Sequence, residues 1–180
     1  MTGPAAPTGD LRRLIRDVPD FPRRGIVFKD ITPLLRSPEG LASCLEQLAA
    51  RTGRPDAVVA IESRGFVFGT GLALHWGVPL VPARKFGKLP GKTITETYAL
   101  EYGEDRLELH ADALLPGQRV VVVDDLLATG GTAAATVRLV ERLGASVDGL
   151  LFVIELTGLG GRERLSGHRV EALLEFEVRE

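Results

Sequence analysis

Cysteine is nearly absent from this 180-residue chain: Cys44 is the only one, so no internal disulfide can form. That fits a reducing compartment such as the cytoplasm, which is the expected location. Histidine is scarce and scattered. His75, His110 and His168 share no spacing with each other or with Cys44 that suggests a zinc site, and they are expected to be structural or exposed. Single-sign charge is missing too. The net charge is -2 with both signs spread along the chain, so no footprint of a nucleic-acid partner is present. No apolar run reaches the roughly 18 residues of a membrane span, so no membrane association is expected. The opening MTGPAAPTGD lacks a basic stretch followed by an apolar one, so a signal peptide is not expected, and residues 1–9 are taken as a disordered tail. One domain over residues 10–180 is expected, large enough for a real core.

What is present is a regular succession of elements. LRRLIRD after Asp10 reads as a short helix, and DFPRRGIVFKDITPLL, rich in proline and glycine, as irregular chain. Ser37 followed by Pro38 is a helix start, with Leu41, Cys44, Leu45 and Leu48 on one face and Gly53 as the stop. AVVAI, VPLVPA, RLELH, QRVVVV and GLLFVIEL read as strands; FVFGTGLALHWG, despite its glycines, and TAAATVRLVERLG read as helices, with Trp76 in the core. RKFGKLPGKTITETYALEYG has turn residues, charges and no helical period. Strands alternating with helices imply an α/β fold with a mainly parallel twisted sheet flanked by helices. Val120–Val123 suit a strand buried on both faces. Ligands in such sheets sit at the carboxyl ends of the strands, which is where Asp124 and Asp125 fall.

After those acids comes ATGGT. Gly130 and Gly131 permit a tight turn with exposed amides, the following helix offers its N-terminal N–H groups, and Thr129 and Thr132 add hydroxyls. This is a phosphate cradle, although not a Walker loop, because no Gly-Lys-Ser/Thr follows. GTGLAL at Gly69 is not a dinucleotide fingerprint. Two adjacent carboxylates repel and lose hydration unless something binds them, and a polyhydroxylated sugar can donate to them.

Strand, two acids and ATGGT together resemble the phosphoribosyl pyrophosphate signature of type I phosphoribosyltransferases. DFPRRGIVFKDITPLL, ESRGFVFG, RKFGKLPG, LEYG, VVVVDDLLATGGT and ELTGLGGRERL, in that order, are similar to the adenine phosphoribosyltransferase family over roughly residues 20 to 165. The resemblance implies a reaction in which adenine and phosphoribosyl pyrophosphate give AMP and pyrophosphate with Mg²⁺ held mainly by substrate rather than by direct protein ligands, in a homodimer. It implies that Ala128, Thr129, Gly130, Gly131 and Thr132 hold the 5′-phosphate. Asp124 and Asp125 would take the ribose hydroxyls and stabilise a ribosyl cation. Glu62, Ser63 and Arg64 would form the pyrophosphate loop, with a cis peptide between Glu62 and Ser63. Arg84, Lys85 and Lys88 would join them there, with Arg84 reaching the partner's site.

By the same resemblance, Glu101 at the purine would be general base forward and general acid in reverse, with Tyr102 beside it at the lid's end. Val27, Phe28, Lys29 and Leu156 would bind adenine in a small hood built from about 20–35 and 155–165. Lys29 stands where an arginine is usual, so the charge survives without the planar fork. Residues from about 84 to 102 would form a mobile lid that excludes water. Three alternatives remain at this point. One is the same chemistry on a 6-oxopurine. Another is a non-catalytic sensor of phosphoribosyl pyrophosphate, which would need a DNA-binding element and no Glu101. The third is diphosphate transfer to ribose 5-phosphate, which would need a second nucleotide site.

Overall fold

The computed structural model describes residues 8–99 and 103–178. The chain divides into two compact units, one ending at Gln47 and the other starting at Leu48. In the first, helix α1 (Thr8–Arg13) precedes strands β1 (Arg16–Pro19) and β2 (Val27–Asp30), which pair antiparallel. Helix α2 (Thr32–Leu35) and helix α3 (Pro38–Ala49) follow. The stretch expected to be irregular therefore contains a strand and a helical turn. Its turn residues are concentrated between the two strands, and the local alternation of β2 is short enough to hide among them. Ser37 caps α3 as expected, its hydroxyl accepting from Gly40 N at 3.0 Å. The helix stops at Ala49, before Gly53. Cys44 is free and buried, and burial pushes its thiol up to about 12, which leaves it unreactive.

The second unit is the α/β body. Strand β3 (Ala57–Ile61) leads through α4 (Gly65–Trp76) to β4 (Leu80–Lys85). Then come β5 (Thr93–Ala99), β6 (Glu104–His110), β7 (Arg119–Leu127), α5 (Gly131–Arg142), β8 (Ser146–Thr157), α6 (Gly161–Arg164) and β9 (Val170–Glu177). One sheet joins the strands in the order β5-β6-β4-β3-β7-β8-β9. The four pairings from β4 through β3, β7 and β8 to β9 are parallel, and β5 and β6 are antiparallel. This bears out the mainly parallel sheet. It also adds α6 and β9, which the sequence reading did not include.

From β3 the chain steps to β4 on one side, and from β7 to β8 on the other. Neighbouring parallel strands whose connections diverge leave a crevice at their carboxyl ends. Val120–Val123 are fully buried at the centre of the core. The strand does not end at the acids, since β7 runs on through Asp124 and Asp125 to Leu127.

The segment after Lys85, which shows no helical period, carries a strand: β5 pairs with β6 from Thr93↔His110 to Ala99↔Glu104. Its alternation lies next to the Gly-Pro-Gly turn residues 87–91 and is masked by them. The core expectation for Trp76 is corrected: it is only half-buried, at the exposed end of α4, where its ring meets His75 edge-on at 6.0 Å. Close packing explains two glycines of α4, Gly65 and Gly69. A side chain on Gly65 would come within 2.8 Å of Val123 O and 2.9 Å of an Asp124 carboxylate oxygen, and one on Gly69 within 2.4 Å of Ala60 Cβ. Helix propensity is given up there for contact with the sheet.

Candidate active site

The crevice between β3 and β7 holds a cavity of about 360 Å³. Glu62, Ser63 and Arg64 line it from the turn after β3, Asp124 and Asp125 from β7, and Lys85 from β4. A second cavity of about 210 Å³ adjoins it, sharing Asp124, Leu126 and Thr132 and formed otherwise by Leu127, Ala128, Thr129, Gly130, Gly131, Ala133 and Phe152. Four of the expected groups are thus brought together: the ESR turn, one of the basic residues, the paired acids and the ATGGT loop. The peptide between Glu62 and Ser63 is cis, as expected.

The ATGGT loop has the geometry of an anion cradle. Gly130 adopts φ 74° as the N-cap of α5, and no side chain caps the helix, so its first-turn amides have no side-chain acceptor. Behind the loop stands a segment far along the chain. A Cβ on Gly161 would fall 2.2 Å from Ala128 O, and one on Gly130 would fall 2.7 Å from Gly161 O. The two backbones therefore touch where neither residue can carry a side chain.

The acids are costly where they stand. Asp125 is buried and its Oδ2 accepts no hydrogen bond, although Arg64 Nε lies 2.9 Å away as an ion-pair partner. Asp124 accepts from Asp125 N at 2.8 Å. Burial, then the neighbouring charge of Asp125, pushes the Asp124 carboxyl well above the ordinary range. Asp125 is raised as well, by burial, with the Arg64 charge opposing. A binding partner that offers hydroxyl donors or positive charge would relieve both.

The basic residues are also pre-paired. Arg84 donates to Glu62 Oε2 at 3.1 Å and to Lys88 O at 3.1 Å, and Lys85 N donates to the same Glu62 oxygen at 3.0 Å. Glu62 is thereby held ionised: burial tends to raise its carboxyl, but the Lys85 amide and Arg84 outweigh it and lower the value. Lys88 lines a neighbouring hollow of about 730 Å³ rather than the cavity beside the acids. Its amide, with that of Leu89, donates to the buried Glu108 at 3.0 and 2.9 Å, which fixes the turn after β4.

A family model for the phosphoribosyl transferase domain matches residues 30–162. The chain is 57% identical over 169 residues to an adenine phosphoribosyltransferase of Carboxydothermus hydrogenoformans, covering 93% of this chain and 99% of that one. It is 59% identical over 159 residues to that of Synechococcus sp. strain JA-3-3Ab, covering 87% and 91%. It belongs to the adenine phosphoribosyltransferase family. The crystal structure of the Thermoanaerobacter pseudethanolicus enzyme superposes with a TM-score of 0.92 at 50% identity, over 94% of this chain and all of the other. The Saccharomyces cerevisiae adenine phosphoribosyltransferase, solved with an imino-altritol bisphosphate and adenine, superposes with a TM-score of 0.87 at 41% identity, over 93% and 98%.

Val27, Phe28 and Lys29 lie in β2 of the first unit. Val27 is exposed, Phe28 meets Phe21 edge-on at 5.2 Å, and Lys29 pairs with Asp17 at 2.6 Å across the β1–β2 ladder. Leu156 is half-buried at the end of β8, on a separate cavity of about 240 Å³. Its predecessor Glu155 is buried and bonded to the Arg162 guanidinium. Glu101 and Tyr102 lie outside the described residues. Sequence reasoning missed Tyr98 and Asp105, which both line the cavity beside the acids. The alternation of TITETYA and EDRLELH on either side of LEYG was the available signal, because it implies a hairpin that sets Tyr98 opposite Asp105.

Proposed function

We infer that this protein works in purine salvage, as a pentosyltransferase. It transfers the 5-phosphoribosyl group from phosphoribosyl pyrophosphate to adenine, giving AMP and pyrophosphate. The observation that carries this reading is the crevice itself, where a phosphate cradle, the adjacent acids Asp124 and Asp125, the latter buried with an oxygen that accepts no hydrogen bond, and the Glu62–Arg64 turn meet at the carboxyl ends of β3 and β7.

The residue roles belong to the same proposal. The amides and hydroxyls of Ala128–Thr132 take the 5′-phosphate. Asp124 and Asp125 accept from the ribose hydroxyls and, once ionised, stabilise the positive charge that grows at the anomeric carbon. Pyrophosphate leaves toward Glu62–Arg64, Arg84, Lys85 and Lys88. Glu101 takes the proton that the purine loses when its nitrogen becomes glycosidic, and Val27, Phe28, Lys29 and Leu156 recognise the base. Residues 84–102 act as a lid.

Magnesium fits this site. Among the residues lining the cavity beside the acids, Glu62, Asp105, Asp124 and Asp125 outnumber Arg64 and Lys85, and Asp125 Oδ2 has no hydrogen-bond partner. A polyphosphate entering there would bring its own counter-charge. Mg²⁺ would be held mainly by substrate oxygens, and it would neutralise the charge developing on the departing pyrophosphate. A homodimer in the cytoplasm completes the proposal, and the free, buried Cys44 suits a reducing compartment. Among the described residues no helix is long and apolar enough to cross a membrane.

The deciding assay supplies phosphoribosyl pyrophosphate and Mg²⁺ with each purine base in turn. Adenine offers an acceptor at N1 and a donor at N6, and hypoxanthine reverses both. A site built on fixed donors and acceptors rejects the mismatch by ~10⁴-fold or more, because its own buried groups are left unpaired. Comparable turnover of hypoxanthine would replace this reading with the 6-oxopurine one. No turnover of any base would favour a sensor.

A further inference from the structure

An acid that the proposed reaction does not use stands in the wall where pyrophosphate would leave. Asp105, on β6, faces Lys85 Nζ at 3.2 Å across the antiparallel β4–β6 contact. Its Oδ2 also accepts from Tyr98 OH at 3.2 Å, and its Oδ1 accepts from Arg106 N at 2.8 Å. A negative charge lining an anion site is unfavourable for the anion and needs a reason. The other two acid–base pairs nearby have one: Asp125, facing Arg64, and Glu62, facing Arg84, both lie in segments with assigned roles.

The reason lies in Lys85. Its side chain is 57% exposed, and its ammonium is a strongly hydrated charge on a flexible four-carbon stem. Left alone, it would fold freely onto any phosphoryl group in reach. Asp105 anchors it at a defined place on the wall, and the hydrogen bond to Asp105, with its charge, holds the ammonium proton more firmly. Any pyrophosphate that takes hold of Lys85 must share it with Asp105. Tyr98, paired directly across the β5–β6 ladder, fixes the carboxylate in turn. Resting on the function proposed above, we propose that Asp105 is a positioning residue that tethers Lys85, so that pyrophosphate is gripped weakly enough to be released.

The test is calorimetric titration of magnesium pyrophosphate into wild type and Asp105→Asn. Asparagine removes the charge and keeps Oδ1 as the acceptor for the Arg106 amide, while its NH2 replaces Oδ2 and can donate to the Tyr98 hydroxyl oxygen, which reverses that bond. Pyrophosphate should bind about tenfold more tightly, and it should inhibit AMP formation at correspondingly lower concentration while kcat falls. In a Lys85→Met background the same substitution should change the affinity by less than about twofold, because the tether then has nothing to hold. A gain that persists without Lys85 would make Asp105 a diffuse charge and overturn the proposal. Unchanged or weaker binding in Asp105→Asn with Lys85 present would overturn it as well. If Asp105→Asn does not fold, Asp105→Ser is held to the same expectations. Adenine turnover by the wild type in the same preparation separates the two readings. An active wild type without the gain removes only the role of Asp105, and a wild type inactive toward every base removes the function beneath it.

Discussion

Arg64 Nε stands 2.9 Å from the Asp125 carboxylate, joining the turn after β3 to the carboxyl-terminal part of β7. The two strands are parallel neighbours, with Ala60 opposite Val123, so their outgoing turns open onto the same crevice. The pair sets the charge state of the site. Arg64 is the cation that opposes the effect of burial on Asp125, whereas for Asp124 burial and the charge of Asp125 come first and Arg64 is the smallest of the causes.

Asp124 should therefore cost stability when no ligand is bound. Its native carboxyl titrates above the unfolded value, so the native state holds more protons between the two, and stability falls as pH rises through that window. Asp124→Asn removes this loss and keeps the acceptor for Asp125 N. The melting temperature of the ligand-free variant at pH 8 should rise by at least about 2 °C, the shift expected for roughly 1 kcal/mol in a chain of this size. The gap between variant and wild type should close as pH falls toward 4, and AMP formation should drop sharply. A scanning-calorimetry series over pH checks it. A variant less stable than wild type at pH 8 would mean the charged form is favoured in the fold.

Gly161 should matter to the phosphate cradle without touching substrate. The Cβ of an alanine there would meet Ala128 O at 2.2 Å, a backbone atom that cannot swing aside as the end of a side chain can. Overpacking of this kind costs about 1–3 kcal/mol, and the displaced loop should raise the KM for phosphoribosyl pyrophosphate by about tenfold, more than that for adenine. Gly149→Ala is the matched control on β8, since its Cβ would meet only Arg169 O at 3.8 Å. Equal KM values in the two variants would remove Gly161 from the cradle.

Glu101→Gln should slow the chemical step by ~10² to 10⁴, the usual worth of a positioned general base. Affinity for phosphoribosyl pyrophosphate should change little, since the proton transfer is at the purine. Product release can mask part of the loss in steady turnover, so rapid-quench single-turnover formation of AMP is the measurement. A slowing of less than about threefold would take Glu101 out of catalysis.

If Arg84 acts across a two-fold interface, Arg84→Ala and Asp125→Asn should complement. Each homodimer would be a poor enzyme. Mixing and reassociation should restore about a quarter of the wild-type sites, because one site in each heterodimer carries no lesion. Native mass spectrometry would confirm the exchange. Absence of recovery would assign Arg84 to its own subunit, where it is bonded to Glu62 and the Lys88 carbonyl.

Much of the site was readable because its signals are local. Val120–Val123, Asp124–Asp125 and ATGGT form one continuous strand, acid pair and turn, and the order of elements alone predicts a parallel sheet with ligands at its carboxyl edge. The Glu62–Ser63 turn and the glycine-bearing α4 follow one another in the same way. Less local features were lost. TITETYA disappeared among neighbouring turn residues, and with it the hairpin that places Tyr98 opposite Asp105. The pairs Lys85–Asp105 and Arg84–Glu62 join residues that no sequence spacing relates.

By itself, then, the sequence determined the chemistry on offer: which strand carries the acids, which turn exposes amides, and which segment carries the cations. Those properties follow from side-chain type and from periodicity over a few residues. The tertiary structure alone decided which charges meet. It set Arg64 against Asp125, brought Gly161 behind Ala128, and left Asp124 desolvated beside a second acid, so that its carboxyl resists ionising. Such contacts depend on strand order and on the register of neighbouring strands. Burial is a property of the assembled core, where water no longer screens one charge from the next.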